Sequence, residues 1–179
     1  MVEMLDLLYK RRSCRKFKDR AVEADKKEKL LQAAQLAPTG RNIRAWEFVL
    51  VEERETLQKL GNCRNPKQPF LPETPLAIVV LGNPQKTDLW IEDAAIASIV
   101  IQLEAESLGL GSCWVQIRQR ESNQGMSSEA YVRNLLGIPE DLAVLSIIAV
   151  GYPETALPAH TEEEVDPEKI HTERYGAHR

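Results

Sequence analysis

Leu76-Ala77-Ile78-Val79-Val80-Leu81 is an unbroken apolar run between Pro75 and Gly82. That is the pattern of a central strand buried on both faces, so the fold must supply a layer on each side of it. Leu142 to Gly151 repeats the pattern and predicts a second buried strand.

The rest of the chain supplies the covering elements. Val2 to Arg12 is predicted as an amphipathic helix with Met4, Leu5, Leu8 and Tyr9 along one side. Asp25 is expected to cap a second helix running through Ala37 and burying Leu30, Leu31, Ala34 and Leu36. Pro38-Thr39-Gly40-Arg41-Asn42 stops it. Trp46 to Glu52 reads as a strand, and residues 54–60 as a short charged helix. Pro66, Pro69, Pro72 and Pro75 recur at every third position, the polyproline II period, so residues 62–75 are expected to form a stiff surface segment. Glu92 to Leu108 is apolar nearly all round its first half, which suits the core or a subunit interface. Ser112 to Val115 begins a strand, and Ser127 to Leu136 is a further helix. Residues 152–179 hold little core-forming sequence and read as an arm that needs a surface to lie on. This order predicts one α+β domain over residues 1–179, a sheet flanked by helices.

Charge is distributed unevenly. Between Lys10 and Arg20, seven of eleven residues are basic and one is acidic, a local charge of +6 in a chain of −4; the other 168 residues carry −10. Cations at a helix C-terminus each contribute roughly 0.3–1 kcal/mol, which accounts for one or two of them. Arg11, Arg12 and Arg15 around Ser13 exceed that, because like charges this close repel unless an anion compensates. A phosphate monoester suits the cluster: guanidinium forks donate paired hydrogen bonds to its oxygens, and Ser13 adds a neutral donor.

Other chemistries find little support. The three cysteines are widely spaced with no CxxC, and the three histidines all fall in the last 20 residues without metal-ligand spacing. No metal site is expected. No apolar run approaches the roughly 20 residues of a membrane span, and acids stand where a signal peptide needs basic residues, so a cytoplasmic location is expected. An acidic total weighs against a general nucleic-acid binder. Gly109-Leu110-Gly111 follows a helix and precedes a strand, the reverse of a dinucleotide-binding turn, and reads as a helix end. Cys14 is expected to have its thiol pKa lowered by the neighbouring arginines, but no general base accompanies it, and no catalytic side-chain constellation emerges.

Four segments taken together are more specific. Arg11-Arg12-Ser13-Cys14-Arg15-Lys16-Phe17 resembles the opening motif of the FMN-dependent nitroreductase family. Ala37-Pro38-Thr39-Gly40-Arg41-Asn42 followed by Trp46 to Val51 resembles the second motif. Gly109 to Trp114, and Leu136-Gly137-Ile138-Pro139 through Val150-Gly151-Tyr152-Pro153, resemble the third and fourth.

The resemblance implies a nitroreductase-like fold, with a central, mostly antiparallel sheet and a C-terminal arm (152–179) exchanged with the partner subunit of a homodimer. It implies FMN as cofactor and NADH or NADPH as reductant. Electrons would pass to nitro-aromatic, quinone or similar small acceptors by a ping-pong mechanism. Arg11, Arg12, Ser13 and Arg15 would hold the phosphate and ribityl chain. Pro38, Thr39, Gly40 and Asn42 would approach from the partner. Ser112, Cys113 and Trp114 would lie near the flavin ring, and Arg174 would reach the phosphate from the arm, with Lys169 a weaker candidate. No membrane or nucleic-acid partner is implied.

One departure stands out. Where the family often has Asn-x-Gln-Pro-Trp, this chain has Asn42-Ile43-Arg44-Ala45-Trp46, and Arg44 is expected to line the substrate side and favour anionic acceptors. Two alternatives remain: a flavin enzyme of the same fold with different chemistry, or a non-enzymatic anion- or nucleic-acid-binding module.

Overall fold

The computed structural model describes residues 3–178; Val2, the expected helix start, and Arg179, the end of the expected arm, lie outside them. Four strands form one antiparallel sheet in the order β1-β2-β4-β3: β1 Trp46–Val51, β2 Leu76–Gly82, β3 Gly111–Gln116 and β4 Ala143–Gly151. Every residue of β2 is buried. Ala77, Val79 and Leu81 point into one core, and Leu76, Ile78 and Val80 into the other. The period-2 geometry of a strand divides the apolar run between two layers.

On the first face lie α3 (Arg54–Leu60) and α5 (Ser128–Leu136), with Leu57, Leu60 and Val132 buried. On the second lie α2 (Ala24–Leu36) and α4 (Trp90–Ser107), with Leu30, Ala34, Ala94 and Ile101 buried. The β2–β4 register shifts between Val80 and Leu81. There Leu145, an extra residue in β4, joins the second core, while Ser146 bonds Ser98 of α4 at 3.1 Å.

Three expectations are corrected. The residue capping α2 is Glu23, with extended backbone and no side-chain cap bond; Asp25 lies within the first turn. Leu36 is 82% exposed, because six positions beyond Leu30 it has turned about 240° round the helix. The proline-spaced segment is not extended, and only part of it is superficial. It folds into turns and a 3-10 helix over Leu71–Glu73, and Cys63, Phe70, Leu71 and Thr74 are buried. Proline's fixed φ near −65° fits such turns as well as it fits polyproline II, and the apolar side chains decide between them.

The first helix, α1 (Met4–Lys10), buries none of its residues. Residues 160–165 lie against it: the His160 amide donates to the Tyr9 carbonyl at 2.8 Å, and Thr161 and Glu164 form a capping box. From Asp166 to His178 the hydrogen bonds and ion pairs described all join residues within that stretch. Among the described residues, no helix is long and apolar enough to cross a membrane.

Candidate functional site

The basic segment runs beside β3. The Cys14 amide donates to the Ser112 carbonyl at 2.8 Å, Ser13 bridges Ser112 in parallel, and Phe17 bridges Pro153. Along this stretch Cys14 and Phe17 are buried, while Ser13 and Arg15 stay exposed. The contact is close enough that a Cβ at Gly111 would sit 2.7 Å from Cys14 Cβ.

Arg11, Arg12, Ser13 and Arg15 thereby share one cleft of about 470 Å³, closed on its far side by Leu157, Pro158 and His160 of the arm. None of these lining residues is acidic. Arg12 Nη1 donates to the Pro158 carbonyl at 2.7 Å, which joins the arm to the cluster. Among the described residues Arg11, Arg12 and Arg15 form no salt bridge. Three cations drawn together outside any of those ion pairs form a cleft suited to an anion.

The cysteines do not supply a nucleophile. Burial pushes the Cys14 thiol up, and a hydrogen bond from the Lys16 backbone together with Arg15 only partly offsets it. The expected lowering is therefore corrected: desolvation outweighs the local charge. Burial likewise raises Cys113, against the pull of Arg15 and Ser13, and pushes Cys63 up to about 12. The Cys113 side chain belongs to the first core and Trp114 packs against the second, where its Nε1 donates to Gln116 Oε1 at 2.9 Å. Strand β3 is an edge strand, so backbone is what Ser112, Cys113 and Trp114 can offer a ligand outside the sheet.

The second expected group lies elsewhere. The Gly40 amide donates to Asp93 Oδ1 at 2.8 Å, and Asp93 is 3% exposed in the first turn of α4. A Cβ on Gly40 would collide with Leu89. Arg41, Asn42 and Arg44 all adopt left-handed backbone, with φ of 54°, 57° and 53°, a clustered strain that persists only where surrounding bonds enforce it. The Arg44 amide donates to Thr39 Oγ1 at 3.3 Å and its Nε to Asn42 Oδ1 at 2.9 Å. The exposed guanidinium lines a shallow cleft with Gln32, Gln35 and Leu36.

Helix α4 separates the two groups. Pro38 to Arg44 meets its start at Asp93, whereas the arginines meet its end at Glu106, where Lys10 and Arg11 oppose the upward push of burial on that carboxyl. Asp93 and Glu106 are about 20 Å apart along the axis. Arg174 is exposed in the turn between His171 and His178 and does not line its own subunit's cleft. Sequence reasoning missed Asp93 and His160. An acid at the start of an apolar helix was the available signal for the first. For the second there was none, since the arm's path is set by long-range contacts.

The nitroreductase family description matches residues 8–63 and 58–152, which takes in the cluster, the strained loop and β3. The chain belongs to the nitroreductase family. It is 36% identical to a protein of Archaeoglobus fulgidus provisionally named NADH dehydrogenase/NAD(P)H nitroreductase, over 98% of this chain and 100% of that one. It is 42% identical to the solved FMN-dependent nitroreductase from Clostridium difficile R20291, covering 96% of this chain and 99% of that one at a TM-score of 0.93. A solved Parabacteroides distasonis protein, also provisionally named NADH dehydrogenase/NAD(P)H nitroreductase, is 33% identical over 98% and 100% of the two chains, at a TM-score of 0.88. This nitroreductase-family protein is therefore an oxidoreductase, and its antiparallel sheet flanked by helices is the fold expected of it.

Proposed function

We propose that this protein is an FMN-dependent NAD(P)H oxidoreductase acting on nitro-aromatic, quinone or similar small acceptors. The observation that carries the proposal is the cleft of Arg11, Arg12, Ser13 and Arg15, cationic and without an acid in its lining, set against the start of β3. It fits a phosphate monoester in charge and donor geometry. The β3 edge beyond Ser112 fits a planar ring that approaches backbone rather than side chains. When bound, FMN supplies the redox chemistry, taking a hydride from NADH or NADPH and delivering electrons to the acceptor.

This chain's residues bind and orient. Arg11, Arg12, Ser13 and Arg15 hold the phosphate and ribityl end. The backbone of Ser112, Cys113 and Trp114 borders the ring. The separation along α4 supports a homodimer in which Pro38, Thr39, Gly40 and Asn42 of one subunit serve the other's site. Exposed Met4, Leu5 and Leu8 on α1, with Ile170 and Tyr175 on the arm, provide apolar surface for that association. Arg174, away from its own cleft, is available to the partner's. Arg44 lies on the acceptor side, its side chain steadied by Asn42, and favours anionic acceptors. Reductant and acceptor use the same open face in turn, in a ping-pong cycle in the cytoplasm.

The absorption spectrum of the purified protein tests the proposal. Oxidised-flavin bands that bleach under anaerobic NADH or NADPH are expected. A colourless protein that does not take up added FMN overturns it.

A further inference from the structure

We propose that His160 is a ligand of the anion held in the basic cleft, with its ring oriented by Glu164. The proposal rests on reading that cleft as the cofactor-phosphate site. His160 lines the cleft beside Arg11, Arg12 and Arg15. Its backbone is fixed by the bond to the Tyr9 carbonyl, and the neighbouring turn is fixed by the capping box of Thr161 and Glu164. The ring is fixed as well: Nδ1 lies 2.8 Å from Glu164 Oε2. That contact holds the Glu164 carboxyl below the usual carboxylate range, with the Thr161 amide and Arg12 adding to the effect. Nε2 is the ring nitrogen left for the cleft.

The donor count sets the protonation state. Nδ1 facing a carboxylate must carry a proton, and Nε2 facing an anion must carry one too. Only the imidazolium has both. Anion binding and protonation of His160 are thus linked. Glu164 stands behind the ring, Arg11, Arg12 and Arg15 share its cleft, and Tyr9 of α1 lies beside it. The arm's contribution to its own subunit's site is then a histidine with a carboxylate behind it, rather than a lysine or arginine.

Fluorescence titration of the full-length protein, freed of bound flavin, tests this with FMN and with riboflavin, which lacks the phosphate. His160→Ala is expected to weaken FMN about tenfold or more, the scale of one charge-assisted hydrogen bond, and to leave riboflavin unchanged. Equal weakening of both ligands, or of neither, overturns the proposal. His160→Gln, which keeps a donor and drops the charge, carries the comparison if His160→Ala does not fold. Glu164→Gln is expected to give a smaller loss confined to FMN, and an unchanged affinity removes Glu164 from the assignment. Arg12→Ala run alongside isolates the parent reading: an unchanged FMN-to-riboflavin ratio there defeats the cofactor-phosphate assignment itself, not His160 alone.

Discussion

Tyr152 Oη donates a 2.6 Å hydrogen bond to Glu23 Oε2 across 129 positions of sequence. The bond joins the exit of β4 to the start of α2. Lys26 Nζ reaches the same hydroxyl at 3.0 Å and the Leu108 carbonyl at 2.8 Å, and the Arg20 guanidinium lies 4.0 Å over the Tyr152 ring. These groups clamp the far end of the basic segment to both helices that cover the second core.

The clamp makes stability depend on pH in the acid range. The Tyr152 hydroxyl, ahead of the other groups, draws the Glu23 carboxyl down to about 2. A carboxylate whose pKa is lowered on folding stabilises the fold above its unfolded value, and that stabilisation is lost as pH falls through the folded one. Tyr152→Phe is expected to lower Tm by about 2–4 °C at pH 7, and the gap from wild type should shrink between pH 5 and pH 2. Melting curves across that range check it; a gap that stays constant to pH 2 would contradict the linkage.

Arg12→Ala separates binding from folding. The side chain meets solvent and the Pro158 carbonyl rather than the core, so Tm without ligand should move by less than about 2 °C. FMN affinity should fall by roughly 10- to 100-fold. Thermal shift with and without FMN reads both quantities. A variant that melts far lower yet binds flavin normally would make the cluster structural.

Arg44→Gln tests acceptor choice. The ratio of kcat/KM for a carboxylate-bearing acceptor to that for its neutral analogue is expected to drop about tenfold, the value of one exposed charge contact sharpened by a bound substrate. Steady-state rates on the matched pair decide it, and equal preference in both proteins sinks the assignment.

Gly111→Ala should part the basic segment from β3. Its Cβ would meet Cys14 Cβ at 2.7 Å and Sγ at 2.9 Å, and overpacking of this kind costs about 1–3 kcal/mol. Urea denaturation measures the loss. Because the Cys14–Ser112 bond positions Ser13 and Arg15, FMN retention should fall in parallel; destabilisation with undiminished retention would show that the bond does not set the cleft.

Much of this was readable in the residues. The β2 run admits one reading because a strand apolar at every position needs cover on both faces, and Arg11, Arg12 and Arg15 announce an anion because no local partner neutralises them. What stayed hidden depends on long-range placement. The thiol of Cys14 follows its burial, not the arginines beside it in sequence. Leu36 faces outward because α2 ends a fraction of a turn past its buried side. Phe70 and Leu71 turn a regular proline spacing into a packed segment. The bond from Gly40 to Asp93 spans 53 positions, and nothing in either neighbourhood points to the other.

The pairing of Ser13 with Ser112 has an effect beyond the cleft. Strand β3 closes one side of the sheet, and an open strand edge invites another chain to add to it. The chain lays its own segment along the start of that edge and crowds the outside with guanidinium groups. A second copy approaching edge-on would meet its own like charge. The residues that draw in a small anion therefore also keep the sheet from growing.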